Sequence, residues 1–245
     1  MLSNSAKKYL NKYGVSPGKN LVFFTNNDSA YETAIDFFEQ GIKVEAIVDA
    51  RDDSDGYFPK KANKLGITIL KGYEISDTVG RLKIREIKLK KITKKSNVKS
   101  SINIKCDLLA IAGGWTPTVH LFTQSKGKLK FRDSDGSFIP SEIYQDTLCV
   151  GSCNGDYDLN EILLKTQEDT LIYLNDNQEN KIGDVNYKSD NLKYGKHQNI
   201  WITSKNNISR TKMFVDFQND VTAKDIKLAL KEGFQSIEHV KRYTT

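Results

Sequence analysis

No G-x-G-x-x-G run occurs anywhere in these 245 residues. Without those glycines a backbone turn does not reach the close approach to a pyrophosphate that dinucleotide folds use. Long apolar runs are missing too. No stretch nears the ~20 residues that cross a bilayer, and no secretory signal opens the chain, so the expectation is a soluble cytoplasmic protein with no membrane partner. Cysteine is sparse, with only Cys106, Cys149 and Cys153. An odd, scattered set makes no disulfide framework and fits a reducing compartment. The C-x3-C pair has no nearby third and fourth ligand, so no metal site is expected. Histidine is equally sparse. His120, His197 and His239 have no cysteine, serine or paired carboxylate at catalytic spacing, so no catalytic residue is assigned and the isolated chain is expected to be inert.

Charge adds one further exclusion. The net charge is +6 and the pI about 9.0, which raises the question of nucleic acid. The lysines are scattered over helices and strand faces, and in the densest run, Lys83 to Lys99, they alternate with apolar residues as on a half-solvated sheet. No phosphate-tracking groove is implied, and no nucleic-acid partner.

What is present centres on Leu21 to Arg51. Leu21-Val22-Phe23-Phe24 is too short and apolar for a helix and reads as a buried strand. A polar turn, Thr25 to Ser29, follows; Ser29 and Glu32 have capping-box spacing. Ala30, Ala34, Ile35 and Phe38 recur at helical spacing, Gly41 serves as a left-handed cap, and Val44 to Asp49 forms a second strand. This βαβ unit suits a parallel, Rossmann-like sheet. The turn Asn26-Asn27-Asp28 leads into a helix N-terminus, where free N–H groups and the helix dipole favour an anion. Asp49 ends the second strand, where an acid can meet ribose hydroxyls. Either a nucleotide binds here or the unit is purely structural, and the missing glycines favour the second.

Around this centre, Ser3 to Tyr13 reads as a helix capped by Ser3, Asn4 or Ser5 and stopped by Gly14. Pro59 suits a first helical position before Lys60 to Leu65, and Ile67 to Leu70 adds a third strand. Leu82, Ile84, Ile87, Leu89 and Ile92 then lie in strand-like surroundings, with a phase slip between Ile84 and Ile87 that implies a bulge or a strand end. Ile102 and Ile104 resume on a returning strand, which makes an antiparallel meander. Cys106 to Ala112 is an almost wholly apolar strand ending in Gly113-Gly114-Trp115-Thr116-Pro117. Thr147 to Gly151 reads as another short strand before Ser152 to Gly155, and a helix starts at Leu159. Asn175 to Asn199 is polar and reads as loop or linker. Near the end, Thr222 caps a helix with Asp225, and Ser236 starts a second, Ile237 to Tyr243. The pair reads as a helical hairpin, and its short second helix argues against DNA reading.

The order of parts resembles the middle of a two-dinucleotide flavoprotein reductase, with Ala112 to Pro117 as its "AxGxxP" turn and Val150 to Gly155 as its "VGxxxG" turn. More narrowly, the chain resembles the alpha subunit of heterotetrameric sarcosine oxidase. The residues that carry this are Tyr13 to Gly18, Phe24 to Tyr31, Val48 to Arg51, Cys106 to Ala110, Gly113 to Trp115 with Pro117 and Val119 to Leu121, Val215 to Thr222, and Glu238 to Thr245. The resemblance implies an internal fragment, lacking an N-terminal fingerprint strand and a C-terminal folate-binding domain. Its fold would be α/β, pyridine nucleotide-disulfide reductase-like. Residues 1–105 would form an inserted NAD-type domain with the meander, 106–174 the returning half of the first dinucleotide domain, and 175–211 a polar linker. Residues 212–245 would be the helical relic of a ferredoxin-type cluster domain. In related oxidoreductases that domain opens V-C-x-C-x-x-V-T; Asp216 and Gln218 replace the two cysteines here, so no iron–sulfur cluster is expected.

The resemblance also implies a role within a complex that oxidises sarcosine with O2 and tetrahydrofolate, yielding glycine, hydrogen peroxide and methylene-tetrahydrofolate or formaldehyde. The partners would be beta, gamma and delta subunits, with FAD and FMN mainly on beta. NAD is the cofactor expected of the alpha chain, at a site that is incomplete here. Its candidate residues are Asn26, Asn27, Asp28, Asp49, Gly113, Gly114, Trp115, Gly151, Asn154 and Gly155, with the two glycine turns favoured. The alternative is an NAD(P)H-dependent flavoprotein reductase core, which would require the absent glycine loop.

Overall fold

The computed structural model describes residues 1–92, 101–174, 194–203, 213–216 and 218–245. The remainder of the polar stretch and part of the lysine-rich run lie outside the described residues. Four parallel strands form the centre in the order β3-β2-β1-β7. They are β1 (Asn20–Thr25), β2 (Lys43–Asp49), β3 (Ile69–Lys71) and β7 (Leu108–Ala112). Alternation along β1 sends Leu21 and Phe23 to one face and Val22 and Phe24 to the other. Three helices cover the first face: α1 (Ser3–Tyr13), α2 (Ser29–Glu39) and α3 (Tyr57–Lys64). Their side chains Leu10, Ile35, Phe37 and Ala62 pack with Phe23 and Ile47. An antiparallel meander of β4 (Tyr73–Gly80), β5 (Ile84–Lys91) and β6 (Ser101–Lys105) covers the second face. There Ile87 and Leu89 pack on Val22 and Val48. Each such fully buried aliphatic or aromatic side chain stabilises the fold by roughly 1.5–3 kcal/mol.

The α/β fold with a parallel sheet, a meander and a terminal helical hairpin is the one the sequence implies. The bulge is there as well: Val79 pairs with Glu86 and Gly80 with Ile84, which leaves Arg85 as the extra residue. Several local readings need correction. Helix α2 is not started by a Ser29–Glu32 box. Asn27 Oδ1 instead accepts the Ser29 N–H at 2.9 Å and the Ser29 hydroxyl at 2.6 Å, while Glu32 pairs with Lys7 at 2.6 Å. Phe37, not Phe38, is buried, because Phe37 projects onto the sheet and Phe38 onto the helix flank. Helix α1 has Leu2 at its N-cap position with no side-chain cap, though Gly14 does end it with φ 63°. Helix α3 opens at Tyr57, two residues before Pro59. Leu82 is the hairpin tip between β4 and β5, 98% exposed. The apolar run Cys106 to Ala112 contains β7. As β7 it pairs in parallel with β1, from Leu21↔Leu108 to Thr25↔Ala112, and closes the first sheet.

Beyond β7 come α4 (His120–Gln124) and the hairpin of β8 (Lys128–Arg132) and β9 (Ser137–Glu142). Residues 147–150 are irregular rather than a strand, and lead into a 3-10 turn, Gly151–Asn154, and α5 (Leu159–Leu174). At the C-terminal end, β10 (Phe214–Asp216) and β11 (Val221–Thr222) precede α6 (Ala223–Lys231) and α7 (Ile237–Thr244). The capping box of Thr222 and Asp225 is formed in full. Asp216, at the first of the two replaced cysteine positions, accepts the Gln218 N–H and the Asn219 amide, each at 2.8 Å. A carboxylate thus organises the turn locally.

Candidate functional site

The carboxyl ends of parallel strands are where open α/β sheets place ligands, and here the ends of β1 and β7 lie side by side. Thr25 ends β1 fully buried, its hydroxyl donating to the Asn27 carbonyl at 2.7 Å. That bond tightens the turn so that Asn26 faces β7. Asn26 Nδ2 donates to the Gly113 carbonyl at 3.2 Å and to the Gln198 carbonyl at 2.7 Å. The two separate turns read from the sequence therefore meet at one place.

Beneath them lies a buried charge cluster. Arg51 stands two residues after the end of β2, and its guanidinium is held between two carboxylates. Nη2 reaches Asp28 and Asp49 at 2.7 Å each, and Nε reaches Asp49 Oδ1 at 3.0 Å. Tyr31 donates its hydroxyl to Asp49 at 2.7 Å. The side chains of Asp28 and Asp49 are wholly buried and that of Arg51 is 4% exposed. Burial works against the Arg51 cation, but the hydrogen bonds and charges of Asp49 and Asp28 outweigh it and hold its pKa above the usual range. Burial, then the Asp49 charge, pushes the Tyr31 phenol well up, so it stays protonated as a donor. Asp49 is thus engaged on both oxygens beneath the surface, by Arg51 and Tyr31.

Residues 194–203, part of the stretch read as linker, have irregular backbone but are fastened along this site. Gly195 N–H donates to Asp28 at 2.6 Å, Arg51 Nη1 to the Lys196 carbonyl at 2.9 Å, and Gln198 N–H to the Asn26 carbonyl at 3.1 Å. Rings pin both ends: Tyr194 sits 5.8 Å from Phe58 of α3, and Trp201 sits 6.4 Å from Phe131 of β8. This strap ties the first sheet to the β8–β9 hairpin. Between those anchors His197 lies against the Gly114 backbone. Gly114 has φ 118°, and a Cβ there would stand 2.6 Å from His197 Cε1, so only glycine lets the imidazole in. Burial lowers the His197 pKa, and the ring is held neutral 3.4 Å from Asn26 Nδ2.

A cleft of about 540 Å³ opens over this floor. Asn27, Asp28 and Ser29 form one wall, Trp115 and Tyr157 face them, and Tyr194 and His197 of the strap complete it. Gly113, Gly114 and Trp115 border a smaller recess with Asp135 and His197. The Gly151–Gly155 turn contributes chiefly Ser152 to the cleft. Gly151 and Gly155 have φ 73° and 75°, and Gly155 serves packing, since Arg132 donates to its carbonyl at 2.7 Å. Asn154 bonds Asp156 within the turn. Of the residues singled out in the sequence, Asn27, Asp28 and Trp115 therefore come together in the cleft. Asn26, Gly113 and Gly114 adjoin it, Asp49 lies behind it, and Gly151, Asn154 and Gly155 support it from outside. Sequence reasoning missed Arg51, Tyr157, Tyr194 and His197. Arg51 carried a usable signal, an arginine two residues beyond a strand-ending aspartate; the strap residues carried none.

Residues 210–245 match the family described as the sarcosine oxidase A3 domain. The whole chain is 28% identical over 251 residues to sarcosine oxidase subunit alpha of Corynebacterium sp. (strain U-96), and 28% identical over 247 residues to that of Rhizobium meliloti (strain 1021). Along its full length the chain is similar to sarcosine oxidase subunit alpha. It spans about a quarter of the length of these relatives, 26% and 24% respectively. Among solved structures, L-proline dehydrogenase from P. horikoshii matches all of this chain and 43% of its own, with 16% identity and a TM-score of 0.54. That likeness bears on the fold alone.

Proposed function

We propose that the chain is the nucleotide-binding and scaffolding portion of a sarcosine oxidase-like alpha subunit. The observation that carries this reading is the whole-chain similarity to those subunits, together with a cleft at the ends of β1 and β7. The complex it serves oxidises sarcosine with O2 and passes the methyl carbon to tetrahydrofolate or releases it as formaldehyde. Beta, gamma and delta subunits are its partners, FAD and FMN act mainly on beta, and the complex works in the cytoplasm. Among the described residues no helix is long and apolar enough to cross a membrane.

NAD is the cofactor assigned to the alpha chain. The residues that would hold it are Asn27, Ser29 and Trp115, with Gly113 giving backbone access beside Gly114, whose open side His197 fills. Asp28 and Asp49 are committed to Arg51, so their part is to fix the floor rather than to grip ribose. A dinucleotide supplies hydride chemistry when bound; this chain's own groups bind and orient. Calorimetric titration of NAD into the chain, beside Trp115→Leu, tests the reading. Binding that weakens in the variant supports it, and no saturable heat with the unaltered chain refutes a working site. Co-purification with co-expressed beta, gamma and delta subunits tests the scaffold role.

A further inference from the structure

The cleft is built for one sign of charge. Among the described residues no lysine or arginine lines it, whereas Asp28, Glu32 and Asp135 do. Asp135 is neutralised by Arg132, which bonds it through Nε at 3.1 Å and Nη2 at 2.5 Å. Glu32 is paired with Lys7 at 2.6 Å. The floor is not balanced, because Asp28 and Asp49 share the single guanidinium of Arg51. Among the described residues that leaves one buried negative charge in excess under the cleft, where screening by water and salt is weak. The helix dipole that would welcome a phosphate is partly occupied as well, since Asn27 already accepts the Ser29 N–H. Above the floor stand three half-exposed rings, Trp115 at 50%, Tyr194 at 51% and Tyr157 at 41%. Aromatic rings and carboxylates lining one cleft attract cations and repel diphosphate.

We propose that this cleft selects a cationic heteroaromatic ring and leaves any attached diphosphate outside. This rests on the nucleotide reading to the extent that, if NAD is the ligand, the ring is its oxidised, positively charged nicotinamide. The oxidised cofactor would then be held in preference to the reduced one, whose ring is neutral. The strap fits this role, since the residues it sends into the cleft are Tyr194, Gly195 and a neutral His197, while Lys196 is not among those lining it.

Calorimetry on the full chain with four probes decides the matter: N-methylnicotinamide cation, nicotinamide, NAD⁺ and NADH. The cation is expected to bind about tenfold more tightly than nicotinamide, and NAD⁺ more tightly than NADH by a similar factor. Trp115→Leu should weaken both preferences, since Tyr157, Tyr194 and the carboxylate floor remain, with thermal unfolding confirming that this half-exposed position leaves the fold intact. Equal affinities within each pair overturn the ring-charge inference while leaving the nucleotide reading in place. Competition of inorganic pyrophosphate with the N-methylnicotinamide cation also overturns it. Binding of the cation without either dinucleotide upholds the inference and removes the nucleotide reading. No binding by any probe refutes both.

Discussion

Replacing Arg51 with methionine isolates the cluster under the cleft, because the stem volume is kept and only the guanidinium is lost. Four hydrogen-bond partners go with it: both Asp49 oxygens, Asp28 Oδ1 and the Lys196 carbonyl. Two wholly buried carboxylates then face each other without a counter-charge. Removing one partner from a buried ion pair costs about 3–5 kcal/mol, and total stabilities run to roughly 5–15 kcal/mol. Arg51→Met is therefore expected to lower stability by at least about 3 kcal/mol in urea unfolding near pH 7. The triple variant Asp28→Asn, Asp49→Asn, Arg51→Met should recover most of this loss, since it removes charge on both sides. Hydrogen exchange adds a local readout: the amides of Gly195 and Gln198, anchored on this floor, should lose protection in the single variant. A loss below about 1 kcal/mol, or a triple variant no better than the single one, would refute the account of a cluster stabilised by its charge pairing.

Three further outcomes are expected. Gly114→Ala forces φ 118° on a residue with a Cβ and drives that carbon into His197; a cost of about 1–3 kcal/mol is expected in chemical denaturation, with the strap released. His197 has a folded pKa below its unfolded value, so the unfolded chain takes up the proton first. Stability should be full above about pH 6.5 and fall as acid takes the pH down toward the folded pKa. His197→Gln should flatten that slope in a pH series of thermal melts. Thr222→Ala removes the capping box of α6 and should cost about 1 kcal/mol, seen as earlier melting of the terminal hairpin's helical signal.

How much of this could be read beforehand follows from range in the chain. The β1–α2–β2 unit announced itself because a buried strand, a polar turn and a helix each leave a local periodicity. Gly14 was legible as a helix stop, Gly41 as a left-handed cap, and Thr222 with Asp225 as a capping box, since those bonds span six residues or fewer. The bulge at Arg85 was legible because a phase slip is a property of one strand. Phe37 and Phe38 were confused because adjacent residues differ by only part of a helical turn, and the sheet's position decides which is buried. The helix cap fell to Asn27 rather than Ser29 for a similar reason, as the turn after Thr25 aims the asparagine side chain at the free N–H.

The sequence by itself determined the class of the molecule: strands and helices alternating into a parallel sheet, a meander behind it, and a helical pair at the end. Hydrophobic spacing within each segment requires that much. Only the tertiary structure decided that β7 lies beside β1, that Arg51 closes over Asp28 and Asp49, and that residues 194–203 run back across the site. Those contacts join positions from 2 to 172 residues apart, and the long ones depend on where the packed sheet brings chain ends together. A cleft assembled from such returns has no local pattern to read, because its charge and shape arise only when the strand ends meet.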